Sequence, residues 1–320
     1  MIKKICVTSP SFCREPLLIR ELSELFPKTA IQINKAGTHY QGSSLVEFIG
    51  DSDAIIVGTE KITPAILEKL PALRMISKYG VGVDNIDLNF LEERNIFFYW
   101  RGGVNKTSVA EMTLGFLLGL SRNLFFTNYR LRNGVWLKQG GFQLSEKTVG
   151  VLGSGHVGGE VIRLLQPFHC KILIHDLLDK SDLVKAYHVN QVDLETLIST
   201  VDFLTLHVPL TELTRNLVNR SFLQKMKRGS FLINTSRGGV VSQSDLLEFL
   251  ALHNENSPDS TIAGAAVDVL EVEPETDSKI VNLPNLFVTP HIGGNAKEAV
   301  LAMGRSAIEG LVEYNKLHDP

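Results

Sequence analysis

Short apolar runs alternate with segments of helical periodicity along almost the whole chain, a pattern that predicts parallel sheets covered on both faces. In the first hundred residues, strands are expected at 2–7, 31–33, 54–57, 75–77 and 96–99. Helical segments fall between them at 17–26, 64–70 and 87–93. Pro64 suits a first helical turn, where a missing N–H costs nothing. From about Thr107 the pattern changes. Val109, Met112, Thr113, Phe116, Leu117 and Leu120 mark one long, strongly apolar helix, expected to lie between domains or against a partner chain.

A second strand–helix series follows, with strands expected at 148–152, 171–175, 203–207, 230–234, 262–267 and 286–289. Six strands with intervening helices are what a dinucleotide fold needs. Residues 254–260 read as a polar, breaker-rich loop with no evident chemistry. Asn295 with Glu298 forms a capping-box signature for a helix running to about Tyr314.

Composition narrows the class. At 320 residues the chain suits two domains better than one. A formal net charge of -3 and the lack of a basic cluster argue against nucleic acid as a partner. No apolar run approaches the roughly 18 residues that span a bilayer, and the amino terminus enters a β-branched run without a signal-peptide core. Cys6, Cys13 and Cys170 form no C-x-x-C and read as buried or inert thiols. A cytoplasmic, globular, two-domain protein is expected.

The chemistry begins at Gly153, Gly155 and Gly158, a G-x-G-x-x-G that follows an expected strand and opens a helix. Gly153 permits the tight turn, Gly155 lets backbone approach a pyrophosphate, and Gly158 lets helix and strand pack closely. His156 and Val157 lie inside this turn, whose helix end offers N–H groups and a positive dipole to phosphates. Asp176 ends the next strand, near the expected spacing of about 20 residues, where its carboxylate can accept from a ribose diol. It would repel a 2′-phosphate, which favours NAD over NADP, although Lys180 stands nearby.

Downstream, Arg237 lies in Asn-Thr-Ser-Arg-Gly-Gly, Glu273 in Asp-Val-Leu-Glu-Val-Glu-Pro, and His291 in Pro-His-Ile-Gly-Gly. They supply a cation, a carboxylate and an imidazole, the equipment for moving a hydride to or from a small oxo acid. A guanidinium offers charge-assisted donors to a carboxylate and a keto oxygen. An imidazole can protonate that oxygen as hydride arrives, and a carboxylate beside it favours imidazolium. Glu271 stands two residues from Glu273 as the competing carboxylate.

With 78–87 (Lys-Tyr-Gly-Val-Gly-Val-Asp-Asn-Ile-Asp), Gly103-Val-Asn105, Ser108-Val-Ala-Glu111 and His207-Val-Pro-Leu-Thr211 in the same order, the chain resembles the D-isomer-specific 2-hydroxyacid dehydrogenases. The likeness covers nearly the whole length and is strongest to the phosphoglycerate-dehydrogenase-like branch. It implies an α/β fold of two doubly wound parallel-sheet domains, a Rossmann NAD domain (103–291) inserted into a flavodoxin-like substrate domain (1–102 and 292–320). It further implies catalytic Arg237, Glu273 and His291, with the Glu-Pro step selecting Glu273. Ser108 is then expected near the nicotinamide and Asp268 at its carboxamide, with His207, Val208, Pro209 and Thr235 lining the cofactor.

On the substrate side, the N–H groups of Val81 and Gly82 can hold a carboxylate, and the resemblance adds Asn105 as a substrate-side amide. The expected activity is NAD-dependent hydride transfer at C2 of a 2-oxo or 2-hydroxy acid, by a homodimer. The alternative is a non-enzymatic NAD-sensing protein on the same fold. Three departures stand out. His169 occupies a position where the family usually has glycine. The 254–260 loop reads as an insertion. Gly58-Thr-Glu-Lys61 lacks an arginine-rich phosphate grip, leaving Lys61, with Arg101, as the positive charge for 3-phosphoglycerate. No room is expected after Pro320 for a regulatory serine-binding module.

Overall fold

The computed structural model describes residues 1–252, 262–276, 280 and 283–318; the 254–260 loop lies outside the described residues. The chain divides into two compact units. One is Met1–Asn105 with Gly294–Pro320, and the other is Lys106–Gly293.

The first unit holds β1 (Lys4–Val7), β2 (Ala30–Ile33), β3 (Ala54–Val57), β4 (Met75–Lys78) and β5 (Phe97–Tyr99). All pair in parallel, in the order β2-β1-β3-β4-β5, which is the flavodoxin-like winding. Alternation along β3 divides the core between the two faces. Ala54 and Ile56 pack with Leu18, Leu22, Ile308 and Leu311 on one side, while Ile55 and Val57 pack with Leu45, Ile66 and Leu91 on the other. The C-terminal helix, Lys297–His318, returns to this sheet. Ser77 Oγ donates to Ala307 C=O at 2.6 Å, and a Cβ at Gly310 would lie 2.4 Å from that same Oγ.

The pattern-based boundaries shift for local reasons. Asp87 is the cap of helix Leu88–Glu93 rather than its first residue, accepting from Phe90 N–H at 3.0 Å. The last helix begins at Lys297, with Val300 N–H bonded to Ala296 C=O. Helices Pro10–Cys13 and Gly42–Ile49 have no counterpart in the periodicity. The first is a single turn, too short to show a period, and the second opens on Gly-Ser-Ser, which are weak helix formers.

The second unit holds β6 (Thr148–Leu152), β7 (Lys171–His175), β8 (Asn190–Gln191), β9 (Phe203–Leu206), β10 (Ser230–Asn234), β11 (Ile262–Val267) and β12 (Leu286–Val288). Their order is β12-β11-β10-β9-β6-β7-β8, again parallel. Counted from β6, this is the dinucleotide-binding order with β12 added at one edge. The strand missing from the sequence pattern is β8, two polar residues with no apolar run to signal them. The long helix, Lys106–Ser121, buries Val109, Ala110, Phe116 and Leu117. Ala110, Phe116 and Leu117 share a core with β6, β7 and helix His156–Leu165, so much of the long helix's apolar surface is covered within its own unit.

His169 takes the left-handed conformation, at φ +54°. Asparagine, aspartate and histidine tolerate this region better than bulkier residues. Among the described residues, no helix is long and apolar enough to cross a membrane.

Candidate active site

The winding of the second sheet reverses between β6 and β9, and the glycine turn stands at that switch point, where α/β sheets bind ligands. Gly153 has φ +89°, and a Cβ there would lie 2.8 Å from His207 C=O and 2.9 Å from Val208 Cγ1. A Cβ at Gly158 would meet Gly153 C=O at 2.0 Å, whereas one at Gly155 would meet nothing within 4 Å. Two glycines therefore serve close packing, and the third leaves backbone open at the amino end of helix His156–Leu165. His156 is exposed on its first turn, and Val157 is half-buried against the core.

Asp176 follows β7. Its Oδ2 accepts from Ser154 N–H at 2.7 Å and its Oδ1 from Leu178 N–H at 3.0 Å, with Lys180 Nζ 3.4 Å away. Burial pushes this carboxyl up, but the two N–H bonds and the Lys180 ammonium outweigh burial and hold it below the usual carboxylate range.

After β9, His207 Nε2 pairs with Thr205 Oγ1 at 2.9 Å. Burial pushes the imidazole down to about 3, so the ring is neutral. Its Nδ1 and Ser154 Oγ are buried without partners among the described residues. Thr235 Oγ1 and Thr113 Oγ1 are 3.0 Å apart, and Pro209 C=O receives Thr214 Oγ1 at 2.6 Å. Open backbone at a helix start, a ribose-competent carboxylate and orphaned polar atoms at one switch point fit a dinucleotide.

Arg237 follows β10 through a turn that Asn234 builds. Asn234 Nδ2 donates to Arg237 C=O at 2.9 Å, and its Oδ1 accepts from Ser236 N–H at 3.0 Å. A Cβ at Gly238 would lie 1.9 Å from Leu270 C=O, so the turn presses directly on the segment leading to Glu273. Glu273 Oε1 accepts from Leu270 N–H at 3.0 Å, and Oε2 lies 2.7 Å from His291 Nδ1.

His291 is in the left-handed region, at φ +53°. Its N–H is bonded to Asp268 C=O at 2.9 Å and Thr289 C=O at 3.0 Å. The Glu273 carboxylate raises the imidazole above its ordinary value against the opposing effect of burial, and Asp268 adds to the rise. For Glu273, burial pushes up, but the His291 bond and charge prevail and hold it low. The two directions agree, and both describe an imidazolium–carboxylate pair.

Asp268, expected at the nicotinamide carboxamide, is bonded here within its own unit. Its Oδ1 accepts from Thr289 Oγ1 at 2.5 Å and Ile292 N–H at 2.9 Å, and Oδ2 from Gly293 N–H at 2.7 Å. Ser108 Oγ donates to Gly293 C=O at 2.5 Å. Asn234 and Thr289 hold the backbone around Arg237 and His291. Sequence reasoning misses both, although they stand inside or beside the motifs.

The remaining expected residues belong to the first unit. Val81 and Gly82 sit half-buried in the loop after β4, and Trp100 Nε1 donates to Val81 C=O at 2.8 Å. Asn105 is buried with Oδ1 unpartnered among the described residues. Lys61 is exposed, while Glu60 turns inward and accepts from Gly58 N–H at 2.7 Å. Arg101 is paired with Glu309 at 2.7 Å.

This fold and site define a nicotinamide-dependent oxidoreductase. A family profile, "D-isomer specific 2-hydroxyacid dehydrogenase, NAD binding domain", matches residues 114–293. The chain belongs to that family and uses NAD as cofactor. It is 34% identical to a hydroxypyruvate reductase of Thermotoga maritima over 87% of this chain and 90% of that one. It is 33% identical to a D-3-phosphoglycerate dehydrogenase of Methanocaldococcus jannaschii over 96% of this chain, which spans 56% of the longer relative. A crystal structure of a protein from Thermus thermophilus aligns with TM-score 0.83 at 28% identity, covering 97% of this chain and 96% of the other.

Proposed function

We propose that the protein reduces a short, unphosphorylated 2-oxo acid of the glyoxylate or hydroxypyruvate kind to its 2-hydroxy acid, of D configuration where C2 is chiral. The observation that carries the chemistry is the 2.7 Å bond between His291 Nδ1 and Glu273 Oε2. With Nδ1 turned to the carboxylate, Nε2 is the ring nitrogen that exchanges a proton with substrate. Protonated His291 gives that proton to the keto oxygen as C2 gains hydride, and Glu273 stabilises the charged ring until then. Arg237 grips the carboxylate side and polarises the keto oxygen. Val81 and Gly82 N–H groups hold the carboxylate, and Asn105 contributes an amide. NAD, when bound, supplies or accepts the hydride at its nicotinamide ring. Gly153, Gly155 and Gly158 cradle it in the second unit, with Asp176 on the ribose.

Charge supports the unphosphorylated substrate. Arg101 is engaged by Glu309. Exposed Lys61 carries the second reading, 3-phosphoglycerate. We assign a homodimer through the second unit. Helix Leu124–Arg132 and the residues after it leave Leu131 and Trp136 exposed, and the exposed Leu124 and Tyr129 line a groove of about 930 Å³. Three unpaired thiols suit a reducing, cytoplasmic compartment.

The test is loss of NADH absorbance against glyoxylate, hydroxypyruvate, pyruvate, 3-phosphohydroxypyruvate and branched oxo acids. A preference for the phosphorylated acid overturns the substrate assignment. NADH binding without turnover on any acid points instead to a sensor.

A further inference from the structure

The loop after β4 is held in two distinct ways. Its root is a buried polar lattice. Lys78, 4% exposed, donates to Gly58 C=O and, at 3.1 Å, to Asn85 Oδ1. Asn85 Nδ2 donates to Glu60 C=O at 2.6 Å, and Asn85 C=O receives Ile62 N–H at 2.8 Å. Tyr79 N–H continues the sheet by bonding Val57 C=O at 2.9 Å. The tip is different. Val81 stands between Gly80, at φ +114°, and Gly82, so the backbone around it turns at little cost. Here Trp100, 43% exposed after β5, donates its indole N–H to Val81 C=O at 2.8 Å.

A peptide unit is planar and trans, so its C=O and N–H point in opposite directions. The Val81 carbonyl and the Gly82 N–H belong to one such unit. Fixing the carbonyl therefore fixes the direction of the N–H. We propose that Trp100 is a positioning residue for the substrate carboxylate, aiming the Gly82 N–H by holding the Val81 carbonyl. The inference rests on the assignment of Val81 and Gly82 as carboxylate donors. It adds a side chain that no glycine-loop motif contains. The indole acts on any 2-oxo acid, because the carboxylate is common to all of them; it sets affinity for the acid and leaves proton transfer to His291.

The test uses the full-length protein, with oxamate as a non-reducible 2-oxo acid analogue in the presence of NADH. Trp100→Phe keeps an aromatic ring and removes the donor. Oxamate Kd and the KM for the oxo acid should each rise about five- to tenfold, the effect of one hydrogen bond. kcat should stay within about twofold, and the Kd for NADH should not change. An unchanged oxamate Kd overturns the proposal.

Amide spectra of protein labelled with ¹⁵N-glycine and ¹⁵N-valine separate this inference from the assignment beneath it. In the parent protein oxamate should move both the Val81 and Gly82 signals. If neither moves, the carboxylate assignment itself fails. If both move and Trp100→Phe preserves both responses, only the role of Trp100 fails. Should Trp100→Phe not fold, Trp136→Phe leaves Trp100 as the sole tryptophan. Its emission should then follow oxamate saturation, and emission indifferent to oxamate overturns the coupling.

Discussion

The carboxylate of Asp268 holds the backbone of Gly293, two residues past His291, by a 2.7 Å bond to its N–H. The same side chain accepts from Ile292 N–H at 2.9 Å, and Asp268 C=O receives the His291 N–H at 2.9 Å. A residue only 2% exposed thus frames the left-handed turn on which the imidazole stands. Asp268→Asn would set an NH2 group against one of these donors and remove a charge that supports imidazolium. We expect kcat to fall by about tenfold or more, since hydrogen bonds to charged groups are worth roughly 1.5–3 kcal/mol. Steady-state kinetics in the oxo-acid direction check this; parent-like kcat would remove Asp268 from the framing of His291.

The Glu273–His291 pair sets the direction of the pH dependence. The imidazole is raised above its ordinary value, chiefly by the Glu273 carboxylate. Reduction needs the protonated ring, so kcat/KM for the oxo acid should be full at low pH and fall as pH rises through the raised value. Oxidation of the hydroxy acid needs the neutral ring and should show the opposite limb. Glu273→Gln removes the main cause, and the fall in reduction should move to lower pH. The comparison is a pair of pH–rate profiles, and coincident limbs in parent and variant would refute the coupling.

Removing the acid/base group should separate chemistry from binding. His291→Ala is expected to lower turnover by roughly two to four orders of magnitude. NADH affinity should be largely kept, because the glycine turn and Asp176 do not depend on the imidazole. Arg237→Lys should also turn over poorly, since an ammonium cannot reproduce the planar fork. Fluorescence titration of NADH beside turnover assays decides both, and near-parent turnover in either variant withdraws that residue from the mechanism.

Cofactor choice should respond to Asp176 and Lys180, which lie 3.4 Å apart. Asp176→Asn keeps the shape but removes the charge that repels a 2′-phosphate, and it leaves Lys180 without its counter-charge. NADPH should gain on NADH by about tenfold in kcat/KM, corresponding to roughly 1.4 kcal/mol. An unaltered NADPH/NADH ratio would mean that neither side chain reads the ribose.

Much of the site is legible in the sequence because its parts are local. Gly153 and Gly158 report a turn whose geometry needs missing Cβ atoms, since a Cβ at Gly158 would lie 2.0 Å from Gly153 C=O, and Gly155 leaves its backbone open beside them. The motifs around Arg237, Glu273 and His291 each carry their own neighbours, so the three side chains can be named without coordinates. The two polar residues of β8 cannot be read, since no apolar alternation announces an edge strand that short. Nor can the bond between Trp100 and Val81, whose partners lie 19 residues apart on different strand ends.

The sequence alone determined the alternation of strands and helices, the dinucleotide turn, the cation–carboxylate–imidazole set and the family, because periodicity and motif spacing are properties of neighbouring residues. Tertiary structure alone decided that His291 meets Glu273 through Nδ1, that Asp268 is committed to the backbone at 292 and 293, and that Arg101 is occupied by Glu309. The reason is distance along the chain. These partners are separated by 18, 24, 25 and 208 residues, and only the packing of strands in a sheet and of helices against it brings such positions within hydrogen-bond reach.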